Sequence, residues 1–360
     1  MGRKKIRVGL LGCGNIAGAH ARGFEAMKDR AEVVLVAEPA EARRAFIRDT
    51  FGPDTEIAGD YRDVLAREDI DAVDILLPHD MHCRTTVEAA EAGKHVLVEK
   101  VMARNVWECD RMIEACEAAG VTLTVAHDRR YNGEWEALKT IVDSGALGEV
   151  FFWKLDHNQD VKRPEGHWIR SRDRLGGGAI MSCLTHQIDG LRWYAGEVSE
   201  VTAMTHVIPE RMEGETVGVI LAGLASGALA ELSINWYTRA NRNGRDLWYE
   251  MVHACGTHGE AYRMTGRGTF VRLRESAPAK AVETYGARAL EEFVNVEYEN
   301  TPGHVGCIRE WIRALRGEPA DIRTGGRTCR GSVEVAEAAY RAAAQKRTVP
   351  LPIDPIPWQE

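Results

Sequence analysis

The chain has 360 residues, of which 44% are hydrophobic and 28% charged, a composition typical of a folded protein with two domains rather than a disordered chain. Its 54 acidic residues outnumber its 46 basic ones and no apolar run is long enough to span a bilayer, so we expect neither a nucleic-acid partner nor a membrane. The eight cysteines form no C-x-x-C pair and lack zinc-type spacing to histidines, which predicts a reduced, cytoplasmic protein without a metal.

The first third of the chain alternates between strand and helix. Its apolar, β-branched runs, separated by helical stretches, read IRVGLLG, EVVLVAE, AVDILLP and HVLVEK. This alternation predicts a parallel sheet with helices on both faces. We place this α/β domain at residues 1–126.

A glycine-rich turn follows the first predicted strand, in the segment VGLLGCGNIAGAH. Gly12, Gly14 and Ala17 form G-x-G-x-x-A between a strand and a helix, the pattern of a dinucleotide-binding turn. Gly12 allows the tight bend, Gly14 leaves room for the pyrophosphate, and the helix start supplies amide donors. We therefore predict cofactor contacts at Gly12, Gly14, Asn15 and Ile16.

The second predicted strand ends at Glu38, about twenty residues beyond the glycines. A carboxylate at this position accepts hydrogen bonds from both ribose hydroxyls and repels a 2′-phosphate, which favours NAD over NADP. Arg43 and Arg44 follow closely and are able to bind such a phosphate, so NADP stays possible. The alternative for both arginines is a solvated helix face.

Glu99 and Lys100 end the fourth predicted strand, in KHVLVEKVMA. Ligands of open α/β sheets lie at the carboxyl ends of the strands, so Lys100 is expected to face the nicotinamide. A cationic ring nearby lowers the pKa of a lysine, which suits Lys100 to share a proton with a substrate hydroxyl.

From about Val150 the pattern changes to longer alternating runs, typical of antiparallel strands with one wet face. We predict a second, α+β domain over residues 127–340 for substrate binding and oligomerisation. Residues 341–360 are expected to form the end of an amphipathic helix and a tail that returns to the first domain. Apolar runs between Val201 and Trp236 predict a sheet face that a second copy covers, giving a homodimer or homotetramer.

The segment GGGAIMSCLTHQID, residues 176–189, combines three glycines with Ser182, His186 and Asp189. Ser182 and His186 share one helix face by their spacing, whether that face meets a core or a ligand. Asp189 is expected either to orient His186 or to brace the domain. Cys183 is expected to be a packing residue, because no basic neighbour in sequence lowers its pKa.

Five segments, in this order, resemble the Gfo/Idh/MocA family of nicotinamide-dependent oxidoreductases: GCGNIAGAH, LLPHDMH, AGKHVLVEK, DSGALGEV and GGGAIMSCLTHQIDGLRWYAG. The resemblance spans nearly the whole chain. It implies a Rossmann domain followed by an α+β domain with an open, mostly antiparallel β-sheet, and sugars, cyclitols or related polyols as substrates. It also adds Pro78, His82 and Glu99 to the predicted cofactor-binding residues.

The resemblance further implies the catalytic pair. The lysine of the family's Glu-Lys-Pro motif, here Lys100, contacts the reacting group, and the histidine of an Asp-x-x-x-His pair, here His186, acts as acid or base. A neutral imidazole suits this role near pH 7. Two positions depart from the family pattern: Val101 replaces the proline, which predicts a trans peptide bond, and Ser182 replaces the aspartate.

Without that aspartate, the acid–base work is expected to move to Lys100 and His186, unless Asp156 or Asp160 enters the site. By the resemblance, His157 is a candidate substrate contact, as in related inositol dehydrogenases, and Ser182 is a further one. The softer candidates are two aromatic side chains that suit a sugar ring, and three arginines that either bind an anionic substrate or belong to a solvated loop: Trp168, Tyr237, Arg170, Arg172 and Arg174.

These observations predict an NAD(P)-dependent dehydrogenase that moves hydride between nicotinamide and a carbinol or carbonyl carbon of a sugar, cyclitol or polyol. One alternative is a relative that retains NAD through the cleavage of a glycosidic bond or an elimination, which the missing aspartate favours. The other is a nicotinamide-binding regulator without turnover, against which the presence of both Lys100 and His186 argues.

Overall fold

The computed structural model describes residues 4–238 and 248–358. These residues form two compact units, the first made of residues 4–131, 301–333 and 355–358, and the second of residues 132–238, 248–300 and 334–354. Among the described residues, no helix has the length and apolar character needed to cross a bilayer.

The first unit contains a six-stranded parallel sheet in the order β3-β2-β1-β4-β5-β6. Its strands are β1 (Ile6–Leu11), β2 (Ala31–Ala37), β3 (Glu56–Ala58), β4 (Ala72–Ile75), β5 (His95–Val98) and β6 (Leu123–Val125). Its helices in this part of the chain are α1 (Ala17–Ala26), α2 (Arg44–Phe51), α3 (Tyr61–Leu65), α4 (His79–Glu91) and α5 (Val106–Ala118). The strand order reverses between β1 and β4, which is where ligands of doubly wound sheets bind.

The second unit is built on a nine-stranded sheet in the order β14-β13-β12-β11-β7-β10-β9-β8-β15. The strands are β7 (Val150–Gln159), β8 (Val198–His206), β9 (Val217–Leu224), β10 (Leu229–Asn235), β11 (Trp248–Gly256), β12 (Gly259–Met264), β13 (Gly268–Leu273), β14 (Val294–Val296) and β15 (Val349–Pro350). All neighbours are antiparallel except β7 and β10, which run parallel. The predicted pairing of a parallel-sheet domain with an open, mostly antiparallel sheet is confirmed.

Helices cover one face of this larger sheet. They are α6 (Gly133–Asp143), which contacts β12 and β13, and α8 (Thr185–Ala195), which contacts β7 and directly follows a π-helical turn, Ile180–Leu184. Alternate residues of the strands, such as Trp153, Leu155 and Leu232, are buried beneath them. The opposite face leaves Met204, with 79% of its surface exposed, among other apolar side chains in the open. The second unit also contains α7 (Arg172–Leu175) and α9 (Ala279–Tyr285).

The carboxyl-terminal part of the chain contributes to both units. Helix α10 (Gly303–Leu315) packs on α1, and α11 (Gly326–Gln345) begins in the first unit and ends in the second. Phe24 of α1 shares one buried core with Ile308 and Trp311 of α10, and a Cβ at Gly23 would meet Ile308 at 2.5 Å. The predicted boundaries, by contrast, assign residues 301–333 to the second domain, because sequence periodicity does not reveal which sheet a helix covers.

Residues near the chain end also lie in the first unit. The side-chain amide of Asn105 donates a hydrogen bond to the Ile356 carbonyl at 2.9 Å, and Arg104 lies over the ring of Trp358 at 4.6 Å. These contacts tie the tail to the start of α5, which Asn105 caps.

Candidate active site

The glycine-rich turn joins β1 to α1. Gly12 has φ +88°, and a Cβ there would meet the Leu76 carbonyl at 2.7 Å, so this position requires glycine. Gly14 is different, since a Cβ built on it meets no protein atom within 4 Å. No side chain caps α1 at Ile16. The turn therefore leaves open space beside an uncapped helix start, which fits the pyrophosphate of a dinucleotide.

The carboxylate of Glu38 is fixed at the end of β2. One oxygen accepts a hydrogen bond from the Cys13 amide at 2.9 Å, and the other accepts one from the Ala40 amide at 3.0 Å. Both bonds hold a negative charge beside the glycine turn, where the sequence predicts the ribose hydroxyls.

Arg43 is attached to the same turn rather than lying on a solvated helix face. Its guanidinium donates to the carbonyls of Cys13 and Gly14, at 2.8 Å and 3.2 Å, and lies over the ring of Phe46 at 4.1 Å. Arg44 instead pairs with Glu41. Of the two arginines, Arg43 is the one engaged with the predicted cofactor turn.

Lys100 follows β5 at the carboxyl edge of the parallel sheet. The peptide bond from Lys100 to Val101 is cis, so the predicted trans bond is wrong. Val101 is fully buried, and its carbonyl lies 2.8 Å from Nδ1 of His82, whose Nε2 lies 2.8 Å from the Leu77 carbonyl. Burial lowers the pKa of His82. At this position the family's proline ring is thus replaced by a buried valine side chain, and the carbonyl of that valine contacts His82.

The backbone of Lys100 is anchored by Glu99, whose carboxylate accepts a hydrogen bond from the Lys100 amide at 3.0 Å. Glu99 also lies 2.9 Å from Nε2 of His20 and 3.2 Å from Nε2 of His304. Nδ1 of His20 lies 2.7 Å from the carboxylate of Asp74. These side chains form a chain of ion pairs beneath the edge of the sheet that carries Lys100.

The charges in this cluster are mutually stabilised. Burial by itself lowers the pKa of His20, but the carboxylates of Asp74 and Glu99 raise it to about 10, so the imidazole is protonated at neutral pH. Burial disfavours the charged form of Glu99, but His20 and His304 hold the pKa of that carboxyl well below its usual range. Only 7% of Glu99 is exposed, and its carboxylate contacts Lys100 through the backbone amide of that residue. Sequence reasoning missed His20 and His304, although His20 lies just beyond the glycine turn.

In the second unit, the three glycines before the π-helical turn are required by backbone conformation or by close packing. Gly176 has φ +82° and ends α7. A Cβ at Gly177 would lie 2.3 Å from the Tyr340 hydroxyl, and one at Gly178 would lie 2.3 Å from the Glu215 carbonyl. The glycines thus allow the chain to pass Glu215 and Tyr340 at short distance.

Glu215 and Tyr340 hold the start of the π-helical turn by hydrogen bonds. The Tyr340 hydroxyl accepts from the amides of Gly178 and Met181, at 2.9 Å and 3.1 Å, and donates to Glu215 at 2.8 Å. The same Glu215 oxygen accepts from the Ile180 amide at 2.8 Å. Burial raises the pKa of Glu215 to about 7, although these bonds oppose the shift. This pair was not foreseen from the sequence.

Ser182 and His186 lie on the segment that this pair holds. Ser182 is in the π-helical turn and His186 in the first turn of α8, and the exposed fractions of the two residues are 6% and 7%. The ring of His186 stacks on that of His157 from β7, with 6.4 Å between centroids and 7° between planes. Asp189, further along α8, is fully buried. Two predicted site residues, His157 and His186, are therefore neighbours, and π-helical turns are frequent at functional sites.

Behind His157 lies a carboxylate that the sequence did not single out. Glu250 of β11 is fully buried and approaches Nδ1 of His157 at 3.4 Å. Burial lowers the pKa of His157, but hydrogen bonds with Cys183 and Glu250 raise it to about 9. The other oxygen of Glu250 accepts from Arg263 at 3.1 Å, and Arg263 also donates to Glu134 at 3.1 Å. Glu134, Arg263 and Glu250 thus form a row of side chains with alternating charge. This row ends at His157, whose ring stacks on His186.

Asp156 and Asp160, the two carboxylates that the sequence offered in place of the family's aspartate, do not share the position of Glu250. Asp156 neighbours His157 in β7, so strand alternation places the two side chains on opposite faces of the sheet. Burial raises the pKa of Asp156 to about 6. Asp160, just beyond the strand, forms ion pairs with Arg211 at 3.1 Å and Lys162 at 3.4 Å.

The softer substrate candidates lie on segments that flank this cluster in the chain. Trp168 is half-buried in a 3-10 turn and stacks on His167 at 6.0 Å. Tyr237 is 53% exposed, and the guanidinium of Arg211 lies 4.3 Å above its ring. Arg170 donates to the Glu210 carbonyl, the Arg172 amide donates to Glu213, and the Arg174 amide donates to the Ser171 hydroxyl.

Comparisons with known proteins match both units. Residues 6–127 match a family model described as oxidoreductase family, NAD-binding Rossmann fold, and residues 135–262 match the GFO/IDH/MocA C-terminal domain. The first unit is thus an NAD-binding domain.

Named relatives cover from about two thirds to nearly all of the chain. Myo-inositol 2-dehydrogenase of Thermotoga maritima is 25% identical over 96% of this chain and 98% of its own length. Inositol 2-dehydrogenase of Burkholderia ambifaria is 31% identical over 64% of this chain and 67% of its own length. The WlbA dehydrogenase of Bordetella pertussis, solved with NADH and UDP-GlcNAcA, superposes with a TM-score of 0.82 at 27% identity, covering 98% of this chain and all of that one.

Proposed function

Because this chain belongs to the Gfo/Idh/MocA family of NAD(P)-dependent oxidoreductases, we propose that it transfers hydride between nicotinamide and a carbinol or carbonyl carbon of a sugar, cyclitol or related polyol. The observation that carries this proposal is the anchoring of Lys100. A buried ion-pair cluster holds the Glu99–Lys100 backbone at the same carboxyl edge of the parallel sheet as the glycine turn. The retained-cofactor enzyme and the regulator without turnover are the alternatives to this proposal.

The bound nicotinamide supplies the hydride acceptor or donor. In the oxidative direction, Lys100 donates a hydrogen bond to the substrate oxygen and holds it, while His186 takes the hydroxyl proton. His157, stacked on His186, and Ser182 contact the substrate, and Trp168 with Tyr237 offers it an apolar platform. His157 is paired with the buried carboxylate of Glu250, so its charge is balanced where its ring stacks on His186.

The cofactor is proposed to be held by Gly12, Gly14, Asn15 and Ile16, with Glu38 on the ribose and Pro78 at the start of α4. Glu99 and His82 act by fixing the loop around Lys100. We propose that NAD binds more tightly than NADP, because the Glu38 carboxylate is fixed in place by two backbone amides and repels a 2′-phosphate. Arg43 is already engaged with the turn carbonyls, so it must leave them to favour NADP.

The proposed function is tested by releasing and identifying any nicotinamide from the purified protein and then measuring turnover of cyclitols, sugars and sugar acids. We expect formation of reduced cofactor with at least one member of this panel. His186→Ala should lower turnover about a hundredfold or more with little change in cofactor affinity, whereas His206→Ala, at an exposed histidine of β8, should keep the wild-type rate. Tightly held NAD without net reduction would support the retained-cofactor alternative, and failure to bind any nicotinamide would refute the proposal.

The open face of the second sheet supports a proposal about assembly. Met204, Leu221 and Leu229 lie on three adjacent strands and are 79%, 56% and 60% exposed. Large apolar side chains exposed on adjacent strands are typical of a protein interface, so we propose a homodimer or homotetramer. Light scattering at micromolar concentration should report more than one copy, and Leu221→Glu should lower the mass; a monomeric wild type would contradict this.

We also propose that the protein works in the reduced cytoplasm. All eight cysteines lie in the described residues, and none of them forms a disulfide there. Mass spectrometry of alkylated protein from cytoplasmic extract should recover all of them as thiols.

A further inference from the structure

We propose that the hairpin of β11 and β12 carries a divalent-metal site of the zinc class, with His253, Cys255 and Glu260 as ligands. Residues 253 and 255 lie on the same face of β11 because strand residues alternate. Cys255 is the register partner of Glu260 across the hairpin. One nitrogen, one sulfur and one carboxylate oxygen, all within 4.8 Å of one another, thus meet on one half-exposed surface.

The donor atoms are spaced almost as a tetrahedral zinc ion requires. Zinc bonds of about 2.3 Å to sulfur and about 2.0–2.2 Å to nitrogen and oxygen give edges of about 3.6 Å from nitrogen to sulfur and about 3.4 Å from nitrogen to oxygen. In the hairpin, Sγ of Cys255 lies 3.6 Å from Nε2 of His253, which lies 2.9 Å from the Glu260 carboxylate. For these two distances, a metal ion requires the histidine–carboxylate contact to open by about half an ångström.

The chemistry of the donors selects the class of metal. A thiolate with an imidazole suits zinc and similar transition metals, whereas magnesium and calcium prefer oxygen ligands alone. The side chains of His253 and Glu260 are 26% and 31% exposed, so water has access to the fourth position. A catalytic or exchangeable site typically has three protein ligands and one water.

A second cluster of suitable residues does not fit a metal as well. His20, Glu99 and His304 also bring donor atoms together, but His20 is held protonated between two carboxylates, and its two N–H groups are used in those ion pairs. A protonated imidazole has no lone pair for a metal. At the hairpin, the metal must displace the thiol proton, and the hydrogen that Nε2 of His253 shares with Glu260 must move to Nδ1.

Charged side chains on the strands next to the hairpin lie close to the proposed metal ligands. Lys154 is the register partner of His253 and pairs with Glu231, and Arg272 is the register partner of Glu260. A thiol must lose its proton to bind a metal ion. Metal binding should therefore release one proton and strengthen as the pH rises.

The test is a titration of the reduced, chelator-treated full-length protein with Zn²⁺ against a chromophoric chelator, repeated with Co²⁺. We expect Co²⁺ to give a thiolate-to-cobalt charge-transfer band with tetrahedral visible bands. Cys255→Ser and His253→Gln should each weaken Zn²⁺ binding by more than the roughly 10–100-fold that loss of an outer partner costs, and Cys255→Ser should abolish the released proton. Circular dichroism checks that both variants fold.

The matched control is His258→Gln. His258 is half-exposed and close to the hairpin in sequence, but its Nδ1 lies 3.2 Å from Ser276 rather than in the cluster. This variant should bind Zn²⁺ as the wild type does. The inference is overturned if Co²⁺ gives no thiolate band, or if Zn²⁺ binds equally well to the wild type and Cys255→Ser. Both readouts are independent of dehydrogenase activity.

Discussion

Replacing Glu215 by glutamine should make the protein more stable at alkaline pH. The glutamine side chain is neutral and keeps an oxygen that accepts from the Ile180 amide and the Tyr340 hydroxyl. In the wild type, burial raises the pKa of Glu215 from 4.5 to about 7. At about 1.4 kcal/mol per pH unit, this shift corresponds to a cost of about 3 kcal/mol for burying the ionised carboxylate.

The sign follows from proton linkage. The native state holds the Glu215 proton more tightly than the unfolded chain, so the free energy of unfolding falls as the pH rises from 4.5 to 7. Below this pH window the carboxyl is neutral in both the native and the unfolded state, so the free energy of unfolding is not reduced. Above the window the carboxylate is ionised in both states, and the full cost of burying it lowers the free energy of unfolding. The advantage of Glu215→Gln should therefore grow from about 1 kcal/mol or less at pH 5 to at most about 3 kcal/mol at pH 8.

Urea unfolding at pH 5 and pH 8 measures this difference. Glu210→Gln, at an exposed glutamate five residues earlier, is the control and should show no pH-dependent gain. Tyr340→Phe should instead be destabilising at both pH values, by about 1–3 kcal/mol, because the amides of Gly178 and Met181 lose their acceptor. A wild type as stable as Glu215→Gln at pH 8 would refute the reasoning.

Three further changes test other parts of the molecule. Glu38→Ser should narrow the difference between NAD and NADP affinity in parallel titrations, and an unchanged ratio would point to Arg43 instead. Ser182→Asp adds a negative charge near His186 and should raise the pKa of that histidine, moving the alkaline-favoured limb of the pH–rate profile to higher pH. Glu250→Ala removes the buried carboxylate that His157 and Arg263 share, leaving Glu134 as the remaining partner of Arg263, and should cost about 3–5 kcal/mol in chemical denaturation, whereas a loss under 1 kcal/mol would contradict this.

Sequence reasoning predicted the features that depend on local pattern. The period of apolar residues separated the parallel sheet from the mostly antiparallel one, and both are confirmed. Gly12 and Gly14 are recognisable because a sharp turn and a close ligand each restrict the residue type at a fixed spacing. Lys100 and His186 were found through family-like motifs, and their catalytic roles stay predictions.

The hairpin cluster shows where local pattern fails. His253, Cys255 and Glu260 have no spacing that signals a metal, because the cluster depends on the register between β11 and β12. The same holds for Glu250, which reaches His157 only because β11 pairs with β7. Strand pairing is a tertiary choice that the sequence of one strand does not reveal.

By itself, therefore, the sequence determined the two kinds of sheet, the cofactor turn and the segments that carry the candidate catalytic residues. Only the tertiary structure decided what holds them: His20 meets Glu99 across 79 residues, and Tyr340 meets Glu215 across 125. It also decided that α10 returns to cover α1 and that the bond after Lys100 is cis. The physical reason is that buried polar groups must find partners wherever the fold brings them, and such partners are selected by distance in space rather than by spacing along the chain.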